Sequence, residues 1–357
     1  MSSTVSKNPL VGKIANGQAG EELLMYLLSR QLAFTEEEYL ESLVFVLQKE
    51  TLKQRALDML HQISFSIKKS YLLKKEANHR VAYYLLLEAL SQKNNEMLIA
   101  VIQNPFLPPE FLGRIAETGP VQALEALVDN QIRMIAYPEI METMEKNPEL
   151  TPFVQGKIQE IRDYYLKQET VEEIPESAVL PGLTEMISEE EKKEKQDAKV
   201  EDGGVESLVI DTLEVQKKAL TTLQKINKMS VSERIKVALT GGRTERLVLI
   251  KDANKMVQMA VIESPKLSED EVLIYTKDKS LPGDIIGKVA NNRDWTKNYA
   301  ILVGLVENPK TPINRALGFI KQLHESDLKL VVRDKNISPV IRNLAVNFIR
   351  NKTQAKT

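Results

Sequence analysis

In the stretch Ser264-Pro265-Lys266-Leu267-Ser268, a helix arriving at the proline has to stop. The proline ring blocks the αR conformation of the residue before it and removes a backbone donor. A small polar residue a few positions on is then placed to cap the next helix. The phrase recurs as Asn308-Pro309-Lys310-Thr311-Pro312 and, in the first half, as Asn104-Pro105-Phe106-Leu107-Pro108 and Asn147-Pro148-Glu149-Leu150-Thr151-Pro152. Helix, stop, helix is thus written at least four times.

The spacing is regular. Ala100 to Pro105 and Ala260 to Pro265 match at an offset of 160 (265 minus 105), and Asn147-Pro148 matches Asn308-Pro309 at 161 (309 minus 148). Within each half the phrase returns after 43 (148 minus 105) or 44 (309 minus 265) residues, close to the roughly 40 to 47 of HEAT and armadillo units. The reading is all-α: an α-solenoid of short antiparallel helices, HEAT/armadillo-like, in two related halves.

Working outward, the apolar residues keep a helical period. Leu23, Leu24, Leu27 and Leu28 recur at that spacing, then Leu40, Leu43, Val44 and Leu47, while Val81 to Leu90 is nearly all apolar. Thr35 with Glu38, Ser230 with Glu233 and Ser268 with Glu271 read as capping boxes. Gly241-Gly242 reads as a helix end and turn. Asp294 is expected to cap a helix through Trp295 and Tyr299, Thr311-Pro312 to start another, Ser326 to open a short one and Ser338-Pro339 to open the last. Aromatics make up 5% of the chain and 43% is hydrophobic, a balance that suits helices with real cores.

Net charge is −2, but the charges are unevenly placed. Residues 1–166 carry 17 Lys/Arg and 21 Asp/Glu, residues 167–206 carry 5 and 13, and residues 207–357 carry 26 and 16, giving −4, −8 and +10. The domains follow: an N-terminal helical repeat domain over 1–166, an acidic flexible linker over 167–206 and a C-terminal helical repeat domain over 207–357. Few large apolar residues in the linker offset its ordering entropy. One island, from Val179 to Ile187, puts Leu180, Leu183 and Ile187 in that acidic run as a candidate docking peptide.

Chemistry is sparse. Without a single cysteine, disulfides, thiol nucleophiles and thiolate metal sites are excluded, and a reducing compartment is compatible. His61, His79 and His324 lack ligand-like neighbours at helical spacing, so no metal is expected. Gly17, Gly20, Gly241 and Gly242 lie outside any Gly-Lys-Ser/Thr context, so no phosphate-binding loop is expected. Asp278, Asp294 and Asp334 fall at helix junctions, where aspartate serves as a turn residue. The chain is expected to be no enzyme, to need no cofactor, to lack a membrane span and to be cytoplasmic.

What remains is a basic, partly aromatic set: Arg293, Trp295, Lys297, Arg315, Arg333, Lys335, Arg342 and Arg350. Arginine beside an exposed aromatic suits protein hot spots and nucleic-acid surfaces alike. Two functions follow. The first is a non-enzymatic scaffold that binds a protein partner through a groove and through the acidic linker. The alternative is a nucleic-acid-binding HEAT-like module that uses the basic half. The −8 linker could also fold back on the +10 half in cis.

Asn291-Asn292-Arg293-Asp294-Trp295-Thr296-Lys297-Asn298-Tyr299, Asn308 to Pro312, Leu328 to Lys335, Arg246 to Asp252 and Ala260 to Pro265 carry a family resemblance. Over roughly residues 225–350 the chain resembles uncharacterised bacterial proteins of deltaproteobacteria and acidobacteria, built from HEAT/armadillo-like or leucine-rich-repeat-variant-like helices. The first half keeps only the Asn-Pro phrases. The resemblance implies a helical-repeat fold and carries over no activity and no site residue.

Overall fold

A computed structural model describes residues 8–166, 173–175, 177–178 and 220–354. Among these residues the secondary structure is helical, with no strand. The chain divides into two compact units, Met1–Lys167 and Gln168–Thr357.

In the first unit the helices are α1 (Pro9–Ala15), α2 (Glu21–Leu28), α3 (Glu36–Val46), α4 (Glu50–Gln62), α5 (Phe65–Leu72), α6 (His79–Ser91), α7 (Asn95–Gln103), α8 (Pro109–Thr118), α9 (Val121–Asp129), α10 (Gln131–Ala136), α11 (Pro138–Met144) and α12 (Pro152–Ile161). A single π-turn, Arg162–Leu166, follows α12. Neighbours in sequence pack together, and alternate helices stack: α5 on α7, α7 on α9, α9 on α12, and α6 on α8, α8 on α11. Leu85, Leu86, Leu98, Val101, Leu112, Ile115, Leu124 and Leu127 close the core between them, each fully buried.

The second unit repeats the scheme with α13 (Val231–Thr240), α14 (Arg243–Leu249), α15 (Lys255–Ile262), α16 (Glu269–Lys277), α17 (Gly283–Asn291), α18 (Tyr299–Glu307), α19 (Ile313–Phe319), α20 (Glu325–Arg333) and α21 (Pro339–Gln354). A helix end over 220–226 precedes them. Here α13 stacks on α15 and α15 on α17, while α16 stacks on α18 and α18 on α20. An α-solenoid is compatible with this alternation.

The three capping boxes form as read, from Thr35, Ser230 and Ser268. Gly241 ends α13 with φ −67°, so its role is not left-handed backbone. A Cβ there would lie 2.5 Å from the Val237 carbonyl oxygen and 3.3 Å from the Glu245 Cβ, so close approach excludes a side chain.

Other boundaries differ from expectation. Asp294 caps no helix by its side chain; a 3-10 turn, Trp295–Lys297, intervenes, and Asn298 caps α18 by accepting from the Ala300 amide at 3.0 Å. Thr311 donates its hydroxyl to the Leu305 carbonyl instead of capping α19, and Pro312 holds the cap position. Helix α20 starts at Glu325 with His324 before it, so Ser326 lies inside. Of the three, only α18 is capped by a side chain, that of Asn298; Pro312 and His324 hold their cap positions by backbone alone.

The Asn-Pro phrase does more than stop a helix. Buried Asn104 accepts from the Phe106 amide with Oδ1 and donates Nδ2 to the carbonyls of Leu72 and Lys74, at 2.6 and 3.1 Å. Asn147 does the same with the Glu149 amide and the carbonyls of Ala116 and Gly119. In the second unit Asn308 joins the Lys310 amide to the carbonyls of Thr276 and Asp278, and Ser264 joins the Lys266 amide to the Leu239 carbonyl. Each side chain therefore shapes its own turn and satisfies carbonyls at a helix end 25 to 32 residues earlier, where backbone acceptors are otherwise orphaned.

Candidate partner-binding site

The cations of the second unit divide into those tied into the fold and those facing out. Arg234 is fully buried; its Nε donates to the carbonyls of Ile226 and Met229, Nη2 to that of Asn227, and Nη1 to the Asp252 carboxylate at 2.8 Å. Arg246 lies in a two-pronged pair with Glu271, at 2.8 and 2.9 Å, and also holds the Gly241 carbonyl. Lys251 pairs with Asp278, and Lys310 donates to the carbonyls of Ser280 and Leu281. Cations on helix-end carbonyls are favoured by the helix dipole. These four cations are thus structural, which spacing in sequence could not reveal; three of them are balanced by carboxylates of the same unit, so the +10 surplus rests on the others.

Of the expected residues, Arg293 and Lys297 are exposed on the connection between α17 and α18, and Lys297 pairs with Asp294 at 2.6 Å. Trp295 is half-buried within the 3-10 turn, which packs against both α17 and α18. Arg315 is exposed on α19, and its Nε donates to the Asn291 Oδ1 at 2.7 Å. Arg333 ends α20, with Lys335 just after it, both exposed. Arg342 is half-buried on α21, its Nε without a hydrogen-bond partner. Arg350, further along α21, is exposed. Leu180, Leu183 and Ile187 lie outside the described residues.

Pattern reading missed the apolar companions of these cations. Ile313 (48% exposed) sits two residues from Arg315, Leu330 (55%) three from Arg333, and Val340 (53%) two from Arg342. Each of the last three helices thus carries an exposed large aliphatic side chain and an arginine, and on α20 the two, Leu330 and Arg333, share a face. Ile313 and Leu330 stand at helical spacing with core residues, and only burial separates the two roles.

At the other end of the same unit, a piece of the acidic segment is held. Ile174 is 2% exposed, although Glu173 and Pro175 beside it are exposed. Its amide donates to Asn227 Oδ1 at 3.0 Å, and its carbonyl accepts from Asn227 Nδ2 at 3.2 Å. Residues 167–206, expected to be a flexible linker, therefore include one fixed residue. The signal was an isolated isoleucine before a proline in an otherwise charged run; the remainder, 167–172, 176 and 179–206, lies outside the described residues.

Several titratable groups in the interior are partnered structurally, although the hydroxyl of buried Tyr275 has no hydrogen-bond partner. Tyr71 donates to Glu41 at 2.7 Å and accepts from the Asn78 amide, and burial with the Glu41 charge pushes its phenol well up. Tyr84 is pushed up to about 12 by burial and the Glu88 charge. Lys68 and Glu88 form a buried pair at 2.7 Å. A shallow pocket of about 150 Å³ in the first unit is lined by Gln131, Glu160, Ile161, Tyr164 and Tyr165. Among the described residues no group of three or more His, Asp or Glu is gathered to hold a cation, and no helix is long and apolar enough to cross a membrane. No family model, curated protein or solved structure matches this chain.

Proposed function

We propose that the protein is a non-enzymatic, HEAT/armadillo-like helical-repeat scaffold, working in the cytoplasm, whose second unit binds a segment of a protein partner. The observation that carries this is the pair Leu330 and Arg333 on α20, both exposed and three residues apart, a spacing that puts them on one helix face. An aliphatic contact with an adjacent cation suits a segment that alternates aliphatic and carboxylate side chains, and arginine is enriched at binding hot spots. Nucleic-acid binding draws less support, because the exposed large hydrophobic side chains described in the second unit, Ile313, Leu330, Val340 and Val346, are aliphatic and offer no ring for base stacking.

The test is affinity capture from lysate with the full chain and with a triple variant, Arg315→Glu, Leu330→Ser and Arg333→Glu. All three sites are exposed, so the melting temperature should stay close to that of the parent. Loss of a captured protein from the variant alone supports the reading. Capture that survives the substitutions overturns it, and a bound nucleic acid released steeply by salt would favour the alternative.

A further inference from the structure

We propose that Asn227 is the main-chain-reading centre of a peptide site in the second unit, occupied in cis by residues 173–175 and open in trans to an extended segment of the same chemistry. That chemistry is a β-branched aliphatic residue followed by proline and flanked by carboxylates. The inference deepens the scaffold reading and rests on it for its biological sense, but it concerns residues other than the Leu330–Arg333 pair.

The geometry is that of one rung of a β-ladder made by a side chain. A carboxamide offers one acceptor and two donors in a plane. Asn227 uses its oxygen for the Ile174 amide and its nitrogen for the Ile174 carbonyl, at 3.0 and 3.2 Å, across 53 residues of chain. Both main-chain groups of a single residue are read, whatever its side chain. Selectivity then falls to the place where the Ile174 side chain is buried, while exposed Glu173 and Pro175 lie outside it. Pro175 contributes by biasing Ile174 toward the extended backbone that a two-point contact needs.

The site is built independently of its occupant. The turn that carries Asn227 has three carbonyls, those of Ile226, Asn227 and Met229, bonded to the guanidinium of fully buried Arg234. That guanidinium is in turn fixed by Asp252. Removing residues 173–175 breaks none of these contacts, so the carboxamide keeps its position for another segment. The clasp itself is two neutral hydrogen bonds and one aliphatic side chain, which makes it exchangeable. A tethered occupant reduces the apparent affinity of any competitor by the fraction of time the site stands open.

The probe is a fluorescein-labelled peptide of residues 170–178, Thr-Val-Glu-Glu-Ile-Pro-Glu-Ser-Ala, titrated by anisotropy against the full chain. Ile174→Asp in the chain empties the cis site, so peptide should bind about tenfold or more tighter than to the parent. Adding Asn227→Asp, which cannot donate to a carbonyl, should remove about tenfold of that gain, and a peptide carrying aspartate at the isoleucine position should not bind. Equal binding by the parent and Ile174→Asp, or no binding by either, overturns the proposal. Should Ile174→Asp fold poorly, the parent provides a second readout: exchange protection of the Ile174 amide should fall as unlabelled peptide is added, and protection unchanged at excess peptide overturns it. Peptide binding without any captured lysate protein would sink the scaffold reading alone, and capture without peptide binding would sink this inference alone.

Discussion

The carboxamide of Asn308 donates to the main-chain carbonyl of Thr276 at 2.8 Å, 32 residues earlier, while Gly304, one turn before Asn308, lies where a Cβ would be 3.1 Å from the Thr276 Cβ and closer still to its hydroxyl. The two helices α16 and α18 are thereby joined twice at one level, by a hydrogen bond and by a contact only glycine permits. Asn104 spans the same 32 residues to Leu72 in the first unit. The rung is a repeated construction and not a local accident.

Asn308→Ala should destabilise the second unit by about 1–3 kcal/mol, because it strands the buried carbonyl of Thr276 together with the Lys310 turn. Asn308→Asp should be no better, since a carboxylate cannot donate to either carbonyl. The denaturant midpoint measures this. An Asn308→Ala midpoint equal to that of the parent would show the rung to be energetically idle.

Gly304→Ala adds one methyl into the α16–α18 contact and should cost about 1–3 kcal/mol through overpacking against Thr276. Thr276→Gly in the same chain removes the obstruction, so a double-mutant cycle should show strong favourable coupling. Additive effects would place the strain elsewhere.

Local signals were legible in the sequence and distant ones were not. Thr35 with Glu38 and Ser268 with Glu271 could be read as caps because both partners lie within four residues. Asn147 could be read as a stop, but its carbonyl partners at Ala116 and Gly119 are about 30 residues away, and nothing local names them. The basic surplus was legible as a sum; its division was not, because Arg234 and Arg333 look alike until burial separates them. Ile174 was visible only as an oddity, since a single buried residue in a charged run leaves no periodic trace.

Arg234→Met leaves the Asp252 carboxylate buried without its guanidinium and frees three carbonyls at the Asn227 turn, so a loss of about 3–5 kcal/mol is expected. Asp252→Asn alone should cost less, because Arg234 keeps those carbonyls. Pairing Arg234→Met with Asp252→Asn should cost less than the two singles together, since no lone charge remains. Thermal or denaturant unfolding of the four proteins decides it, and strict additivity would mean that the pair contributes nothing as a pair.

Asp278 offers a test by pH. Burial alone would raise its carboxyl, but the Lys251 ammonium and the Ser280 hydroxyl and amide outweigh that and hold it below the ordinary aspartate value. A carboxylate depressed in the folded state contributes stability that is fully present above its unfolded value, about 3.9, and is lost as pH falls through the lower folded value. Asp278→Asn should therefore be less stable than the parent at neutral pH, by about 1–3 kcal/mol for the loss of charged hydrogen bonds, with the gap narrowing as the solution is taken well below pH 4. Denaturant midpoints of both proteins at neutral pH and near pH 3 measure the gap, and taking the difference between the two cancels the titration of the other carboxylates. A gap that widens on acidification would mean that the Lys251 and Ser280 contacts do not outweigh the burial of Asp278.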